Sequence, residues 1–422
     1  MTGGLAPARQ PLADLAHPAT YAAGVPLAEF ARRRRDEPVG WVPEPALWRH
    51  SSAGRTTHQG AGFWAVTTHE AIVAVSRRPQ DFSSQQRGAF LADPRTPADL
   101  EFMRQLLVNM DAPRHSRIRR LVTAVFTPRA VRELADSIGA HARALVREVV
   151  ARDRFDAVAD LAAELPLLVL ADLLGLPRGD RHLLYRWSNN LVGFDDPEYG
   201  GGDVEVYRQT FAEAFQYALA VAVRRRASPR DDLISVLANA ELDGQRLTDR
   251  EFCQFWLLLV VAGNETTRHL LSGALHAALT DPAVRAQVCQ GPVDARAVDE
   301  FLRVVTPIMQ FRRTATRAVE LAGAAIGAGD KVVLFYGSGN RDERVFTAPD
   351  RVDLARDPNP HLAFGIGPHF CLGSHLARLE SATLLAELRP YLARLRLDGA
   401  VVRLESNFVN GIKAMPVRRV PG

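Results

Sequence analysis

The sequence predicts a mainly α fold in which a large helical region is accompanied by a smaller β-rich portion. Apolar residues recur with a helical period from about 99 to 279, as within 128–153 at 131, 134, 138, 142, 145, 146 and 149. Strand patterns are short and far apart, at 62–66, 331–335 and 401–404. No repeat or long linker divides the 422 residues, so we expect one domain over 1–422 with an irregular start at about 1–20.

The elements follow in chain order. Residues 1–60 are rich in proline and glycine and are expected to be mostly irregular, with the arginine run 32–35 on a solvated helix face. Further along, we predict a short helix over 69–77, breaks at 200–202 and 225–231, a buried apolar helix over 255–275 and a helix over 374–388.

The composition excludes several classes of protein. Apolar residues make up 47% and charged residues 24%, which is ordinary for a soluble protein with a large core, and three cysteines cannot form a disulfide scaffold. The net charge is +4 without a basic stripe, so nothing indicates nucleic acid. The most apolar run, 255–263, is far shorter than the ~20 residues that span a bilayer. We expect a soluble cytoplasmic protein without a membrane anchor.

The most informative segment is the loop around Cys371, Phe-Gly-Ile-Gly-Pro-His-Phe-Cys-Leu-Gly at 364–373. Three glycines permit a tight loop that can direct several backbone N–H groups at the sulfur and, with the start of the next helix, stabilise a thiolate. Zinc requires three or four ligands, whereas a haem iron takes one because the porphyrin supplies four nitrogens. Cys253 and Cys289 are interpreted as small buried hydrophobic residues.

This loop resembles the haem-binding signature of the cytochrome P450 family, Phe-Gly-x-Gly-x-His-x-Cys-x-Gly, and contains every fixed residue type. The resemblance extends from 63–66 to 411–417. It is greatest with actinobacterial members that hydroxylate sterols and methyl-branched lipids, at 262–268, 340–343, 356–361 and 410–413. It implies the P450 fold and a haem b (iron protoporphyrin IX) cofactor.

The resemblance also implies roles for the residues of the loop. Cys371 would be the proximal iron ligand, Phe364 would pack beside its sulfur, and Gly365 would belong to the same cofactor-binding loop. Gly373 would let the following helix approach the porphyrin, and His369 would meet a haem propionate.

Further residues match motifs of the family outside this loop. His115 and Arg119 match a His-x-x-x-Arg that binds propionates, and Arg313 matches a later propionate arginine, with Arg312 as a competitor. Glu-x-x-Arg motifs are frequent by chance in so arginine-rich a sequence, but one lies upstream of Thr306-Pro307. The resemblance assigns that motif, together with a later arginine, to a structural network: Glu300, Arg303 and, as the third member, Arg351.

The helix over 255–275 is expected to be buried, yet it contains polar residues, whose burial is unfavourable unless they form hydrogen bonds or serve a function. Ala262 and Gly263 leave room on one face, and Thr266 lies on that face. From these residues alone, a hydrogen-bonded kink in the helix is an alternative to a functional role. In the family an acid–alcohol pair at this point delivers protons for oxygen activation, and Glu265 and Thr266 match it, with Glu in place of the commoner Asp.

The resemblance thus implies a monooxygenase that inserts one atom of O2 into a C–H bond of a large apolar substrate, a sterol, methyl-branched lipid or terpenoid. Phe194 is expected on a mobile helical lid. The expected apolar pocket walls are Phe194, Leu258, Ala262, Ile308, Met309, Phe408 and Val409.

No flavin or iron–sulfur motif is present, so we expect electrons from a separate ferredoxin and ferredoxin reductase, docking beside Arg119, Arg120 and Arg378. We expect a monomer. Two alternatives stay open: a polyketide or macrolide tailoring enzyme of secondary metabolism, and a non-catalytic haem sensor or ligand-binding protein. The acid–alcohol pair argues against the sensor, because binding alone needs no proton delivery.

Overall fold

The computed structural model describes residues 13–242 and 244–420. The α-helices of this part are α1 (Leu27–Asp36), α2 (His69–Ser76), α3 (Pro97–Met103), α4 (Arg114–Thr123), α5 (Pro128–Glu133), α6 (Ala135–Val150), α7 (Glu164–Leu173), α8 (Arg181–Val192), α9 (Val204–Ala227), α10 (Leu233–Ala238), α11 (Asp249–Thr280), α12 (Pro282–Gln290), α13 (Ala295–Val305), α14 (Tyr336–Gly339) and α15 (Ser374–Leu392). The strands are β1 (Val39–Val42), β2 (Leu47–Ser51), β3 (Gly54–His58), β4 (Phe63–Val66), β5 (Phe82–Ser83), β6 (Arg154–Asp156), β7 (Glu241–Leu242), β8 (Gln245–Arg246), β9 (Gln310–Ala315), β10 (Val319–Leu321), β11 (Ala324–Ile326), β12 (Lys331–Phe335), β13 (Leu395–Leu397), β14 (Val402–Arg403), β15 (Ile412–Ala414) and β16 (Pro416–Arg419).

Helix α11 lies at the centre of the helical region. It begins with a capping box, in which Thr248 accepts from the N–H of Glu251 and the Glu251 carboxylate accepts from the N–H of Thr248. It packs against α7, α8, α9, α12, α13 and α15. Its apolar residues enter two core clusters, one around Trp256 and one around Leu271, so the helix is enclosed on most sides.

The main sheet has five strands in the order β1-β4-β12-β9-β5. Strand β12 pairs parallel to β4, and the other pairs are antiparallel. Every residue of β12 is buried, as expected for the central strand of a sheet that is covered on both faces. A second sheet, β13-β16-β6, joins the end of the chain to residues 154–156.

The predicted fold class is confirmed, but several local predictions are wrong. The described part of 1–60 contains α1 and strands β1 to β3, so it is not mostly irregular. The arginine run lies on a helix as predicted, yet Arg33 and Arg34 are only 6% exposed, since Glu29, Glu343 and the Ser338 hydroxyl accept their hydrogen bonds. The tertiary partners of Arg34 lie more than 300 residues away in the sequence, where no local pattern reveals them.

Two helix boundaries also differ from the prediction. The segment 128–153 is divided into α5 and α6 at Leu134, and α9 continues through the arginines at 224–226 to Ala227. There Arg225 is buried and binds the Asp232 carboxylate over 2.6 Å, so its charge does not end the helix. Residues 1–12, the first part of the predicted irregular start, lie outside the described residues.

Candidate active site

Cys371 lies just before α15, in a loop whose backbone depends on glycine. Gly365 and Gly367 have φ values of +68° and +77°, in the left-handed region that other residues rarely adopt. A Cβ at Gly367 would lie 2.5 Å from the backbone oxygen of Ser76. The Cys371 N–H donates to the Phe364 carbonyl oxygen over 2.8 Å, which closes the loop and fixes the position of the thiol.

The surroundings of the Cys371 thiol act on its pKa in opposite directions. Burial raises this pKa, whereas the backbone N–H of Gly373 and the guanidinium groups of Arg119 and Arg378 act to lower it. Of the backbone N–H groups in this loop, that of Gly373 is the one that acts on the pKa of the thiol. Phe364 belongs to the core cluster against which Cys371 packs, and the Arg378 guanidinium lies 4.6 Å from its ring centroid.

Four basic side chains from three separate parts of the chain lie together near this loop. The rings of His115, on α4, and His369 have centroids 4.2 Å apart. Burial, and then the nearby charges of Arg313, His115 and Arg119, lower the pKa of His369 to about 2. Arg119 donates to the Phe370 carbonyl oxygen over 2.6 Å. The predicted propionate partners thus form one spatial cluster, in which Arg119 and Arg313 carry the positive charge while the pKa values of both histidines are lowered, chiefly by burial.

The residues of this cluster fit an anionic cofactor edge. His115 is 3% exposed, and its Nε2 has no hydrogen-bond partner among the described residues. Arg313 donates only to a backbone oxygen there, whereas its competitor Arg312 binds the Asp93 carboxylate over 2.6 Å and is occupied elsewhere. Carboxylates of haem propionates would supply the acceptors that these groups need.

The protein ligand available for a metal ion near this cluster is also of the kind that haem requires. The described residues hold no group of three or more His, Cys, Asp or Glu side chains arranged for a metal ion. A haem iron needs a single strong protein ligand, and the Cys371 thiol beside the basic cluster is of that kind.

The middle of α11 presents small and polar side chains within an otherwise buried stretch. Ala262 is exposed and Thr266 is half-buried, so this face of the helix borders open space. The Thr266 hydroxyl donates to the Ala262 carbonyl oxygen over 2.7 Å, which turns the hydroxyl along the helix. A Cβ at Gly263 would come within 3.3 Å of Leu170, so the small residue there permits close packing of α7.

Glu265 is 1% exposed, and its contacts are with other polar groups. Its carboxylate accepts hydrogen bonds from Ser188, over 2.7 Å, and from Arg268, over 2.5 Å, and lies 3.3 Å from the His269 ring. Burial alone would raise the pKa of this carboxyl, but Arg268 and then His269 outweigh burial and lower it. The structure therefore directs Glu265 toward α8 and not toward the Thr266 hydroxyl.

The structural network around Glu300 has a different third member from the predicted one. Arg303 donates two hydrogen bonds of 2.8 Å to the Glu300 carboxylate, and Arg356 donates to both of its oxygens over 3.1 and 3.2 Å. The prediction of Arg351 is wrong, because its side chain is exposed and only its carbonyl oxygen accepts from Arg303. The loop folds back so that the arginine five positions later reaches the carboxylate.

The predicted pocket walls fall into two groups. Leu258, Ile308 and Phe408 are half-buried, whereas Met309 and Val409 are only 2% and 1% exposed and belong to the core. The sequence analysis did not identify two other half-buried aromatic residues, which form ring contacts with Phe408 at 5.3 and 5.4 Å: Phe90 and Phe311. Phe90 lies in the loop between β5 and α3 and Phe311 lies on β9, so only the fold brings them together.

Phe194 lies in the turn between α8 and α9, which ion pairs hold in place. The Arg49 guanidinium lies 5.0 Å from the Phe194 ring centroid and binds the Asp195 carboxylate over 2.6 Å. Lys413 binds Asp196 over 2.9 Å and Glu198 over 2.7 Å. The turn is thus tied to β2 and β15, and Phe194 lies in this turn where a helix was predicted.

Comparison with known proteins shows the family. A sequence profile described as Cytochrome P450 matches residues 292–390. A steroid C26-monooxygenase of Mycolicibacterium smegmatis is 37% identical over 392 residues, which cover 92% of this chain and 89% of that protein. The chain belongs to the cytochrome P450 family. A methyl-branched lipid omega-hydroxylase of Mycobacterium bovis is 38% identical over 394 residues, covering 92% of this chain and 90% of that P450.

A solved structure agrees with this assignment. The Mycobacterium marinum cytochrome P450 in complex with pseudoionone has a TM-score of 0.85 and 38% identity, and the match covers 98% of this chain and 100% of that one. The predicted P450 fold is therefore confirmed, and the chain is a P450 monooxygenase. Among the residues that the structure describes, none of the helices is long and apolar enough to cross a membrane.

The sequence analysis also missed functional neighbours of Glu265 in this P450. Arg268 and His269 follow it by three and four residues on α11, and that spacing alone would have indicated contact. Ser188 and Asn189 come from α8 and bind Glu265 and Arg268 respectively. They carry no such signal, because they lie far away in the sequence.

Proposed function

We propose that this P450 inserts one oxygen atom of O2 into a C–H bond of a large apolar substrate, a steroid or a methyl-branched lipid. The observation that carries the proposal is the Cys371 loop beside the cluster of four basic side chains, in a chain whose relatives are named for these two substrates. The half-buried aromatic residues Phe90, Phe311 and Phe408 offer apolar surface to such a substrate.

The cofactor in this proposal is haem b, which supplies the oxygen-activating redox chemistry when bound. Cys371 would hold the iron as a thiolate, favoured by the Gly373 N–H and by Arg119 and Arg378. The propionates would accept hydrogen bonds from the basic cluster, His115, Arg119, Arg313 and His369. Ala262 would leave space on α11 for the cofactor and substrate.

Thr266 and Glu265 would manage the protons that the reaction consumes. The Thr266 hydroxyl borders the open face of α11. Its single hydrogen is donated to the Ala262 carbonyl oxygen, so the hydroxyl would turn away from that oxygen when it passes a proton to the open face. The Glu265 carboxylate is held by Arg268 and Ser188, so it reaches the hydroxyl only when these contacts loosen. General acid catalysis of this kind is typically worth ~10²–10⁴ in rate.

Electrons would come from a separate ferredoxin and its reductase. Phe370, adjacent to Cys371, is 41% exposed, and Arg120 is exposed on α4, so together they offer an apolar contact and a positive charge to an acidic electron carrier. Arg119 and Arg378 would contribute less to docking than the sequence indicated, because Arg119 binds the Phe370 carbonyl oxygen and Arg378 binds Asp299.

The assignment of the iron ligand is tested by the absorption spectrum of the reduced protein with carbon monoxide. The wild-type protein should show the strongly red-shifted band of a thiolate ligand, and Cys371→Ala should lose it. Cys253→Ala and Cys289→Ala are matched controls that should keep the band. Loss of the band in either control, together with its retention in Cys371→Ala, would overturn the assignment.

The substrate class is tested by titrating steroids, methyl-branched fatty acids and macrolides side by side into the ferric protein. Affinity should come from buried apolar area, at ~25 cal/mol per Å². A haem absorption shift with the first two classes supports the proposal. A response to macrolides alone would favour the tailoring enzyme, and binding without any consumption of reduced cofactor would favour the sensor.

A further inference from the structure

The loop between β5 and α3, residues 84–96, has an irregular backbone, so contacts with other segments must hold it in place. Its second half runs beside strand β9, where the N–H of Arg312 donates to the Ala89 carbonyl oxygen over 2.8 Å. The N–H of Ala89 in turn donates to the Asn109 side chain over 2.8 Å. Phe90, the next residue, is therefore fixed through its preceding neighbour.

The residue after Phe90 is held by a lysine, one of only two in the chain. Lys331, on β12, is 5% exposed, and its ammonium group donates to the Leu91 carbonyl oxygen over 3.0 Å. It also binds the carboxylates of Asp93, over 2.7 Å, and Glu44, over 2.6 Å. The three N–H donors of the ammonium group thus meet three acceptors.

Arg312 completes this group of charges, which we call the Lys331 cluster: Glu44, Asp93, Arg312 and Lys331. The Arg312 guanidinium binds the Asp93 carboxylate over 2.6 Å. Burial alone would raise the pKa of Asp93, but Arg312 and Lys331 outweigh burial and lower it. Two positive charges are thus matched with two negative ones. Because the cluster is largely removed from water, the loss of one member leaves a charge without compensation.

The Lys331 cluster and the ring of Phe90 lie on opposite faces of the main sheet. Lys331 pairs with the residue two positions after Arg312, so both side chains project from one face. Phe311, next to Arg312 on β9, projects from the other face. The Phe90 ring lies on that second face, with its centroid 6.3 Å from that of Phe311 and 5.3 Å from that of Phe408.

The second face is also the one that meets the cofactor in the proposed function. Arg313, a proposed propionate partner, lies two residues after Phe311 and shares its face of β9. The loop thus places its charge on the far face of the sheet and its aromatic ring on the substrate side.

We propose that Lys331 and Asp93 are positioning residues, which fix Phe90 and so raise the affinity for the apolar substrate without touching it. The inference rests on the proposed function and adds the residues that hold one wall of the substrate site. A ring that is already in place loses little conformational freedom when a ligand binds, whereas the ordering of a loose loop lowers the affinity.

The first test measures whether the Lys331 cluster holds the loop. Arg87 and Arg95 are exposed within it, so brief trypsin treatment of the ferric holoenzyme, followed by mass spectrometry, reports opening of the loop as cleavage after these residues. This cleavage should be roughly tenfold or more faster in Lys331→Met, as expected when hydrogen bonds between charged groups are lost. Equal rates in Lys331→Met and wild type would overturn the proposal.

Arg34→Met is the matched control for this test. The Arg34 side chain is also 5% exposed, and it binds a carboxylate over 3.0 Å and a backbone carbonyl oxygen over 3.3 Å, both outside the loop. The variant loses a buried cation of the same kind, yet the loop should be cleaved at the wild-type rate. Equally fast cleavage in both variants would show a general loss of stability and would contradict the proposal.

The second test determines whether Lys331 acts through Phe90. The dissociation constant of testosterone, or of phytanic acid if the wild type responds only to a branched lipid, is measured for Lys331→Met, Phe90→Ala and the double variant. Each single variant should bind about two- to tenfold more weakly, the range for a lost aromatic contact. The double variant should bind no more weakly than Phe90→Ala. Losses that multiply in the double variant would contradict the proposal.

Imidazole is the control ligand, because it binds the iron and needs no apolar wall. Its affinity should be the same in the wild type and in all three variants. A loss of imidazole affinity in Lys331→Met that matches the loss for testosterone would indicate a damaged haem site and would also overturn the positioning role.

If Lys331→Met does not fold, Asp93→Asn removes one charge of the cluster from a side chain that is 23% exposed, and both tests are repeated with it. If neither testosterone nor phytanic acid shifts the wild-type spectrum, the proposed substrate class is refuted. The trypsin measurement would still decide whether the Lys331 cluster holds the loop.

Discussion

Removal of the Arg356 side chain should destabilise the protein, although Arg356 is not one of the candidate catalytic or cofactor-binding residues. Its Nε donates to both oxygens of Glu300, which is 0% exposed, and its Nη1 donates to the Thr347 carbonyl oxygen over 2.9 Å. In Arg356→Ala the Glu300 carboxylate would retain its hydrogen bonds from the Arg303 guanidinium and from the N–H of Asp353. The loss is therefore about 2–3 kcal/mol, typical of hydrogen bonds to a charged group and below the ~3–5 kcal/mol of a broken buried pair.

The assay is equilibrium denaturation of the ferric holoenzyme, followed in parallel by far-ultraviolet circular dichroism and haem absorbance. Arg351→Ala is the control, since its exposed side chain should change the free energy of unfolding by no more than about 0.5 kcal/mol. Equal losses in both variants, or a loss below 0.5 kcal/mol in Arg356→Ala, would refute the reasoning that gives Arg356 the third place in the network.

Three further predictions concern other parts of the molecule. Gly367→Ala combines a φ of +77° with a Cβ 2.5 Å from the Ser76 oxygen, so the purified variant should contain less haem per chain than wild type. Burial raises the pKa of Glu380 to about 8, so between the unfolded value near 4.5 and 8 the stability should fall as pH rises. Denaturation at several pH values should show that this dependence of the free energy of unfolding on pH is absent in Glu380→Gln. The control variant Glu387→Gln should retain it. Thr266→Val should bind haem and substrate but divert electrons to peroxide or water, and unchanged product per electron would contradict its proton role.

Local sequence patterns predicted the elements whose signal is continuous along the chain. The apolar run at 255–275 indicated a buried helix because nearly every turn of it is apolar, and α11 extends it at both ends to Asp249–Thr280. The strand predicted at 331–335 agrees with β12 for the same reason. The helix at the arginine run was expected, but the burial of Arg33 and Arg34 on α1 was missed, since Arg34 looks solvated until Glu343 comes near in the fold.

The candidate site shows the same limit. The cysteine loop could be identified from the sequence because its glycines and its thiol lie within ten positions of one another. The partners of Glu265 on α8 and the choice of Arg356 over Arg351 depend on how distant segments return to one place. Such contacts are set by tertiary packing, which a single sequence does not display.

The ion pairs that hold the turn between α8 and α9 have a kinetic consequence. Arg49 is buried and Asp195 is half-buried, and separating them costs about 1.5–3 kcal/mol, the range for hydrogen bonds between charged groups, which slows each opening by roughly 10- to 150-fold. For any ligand that passes this turn, binding at high ligand concentration would reach a limiting rate set by the opening of the protein. Ligands of different size and affinity would then share one association rate at saturation and differ only in how long they stay.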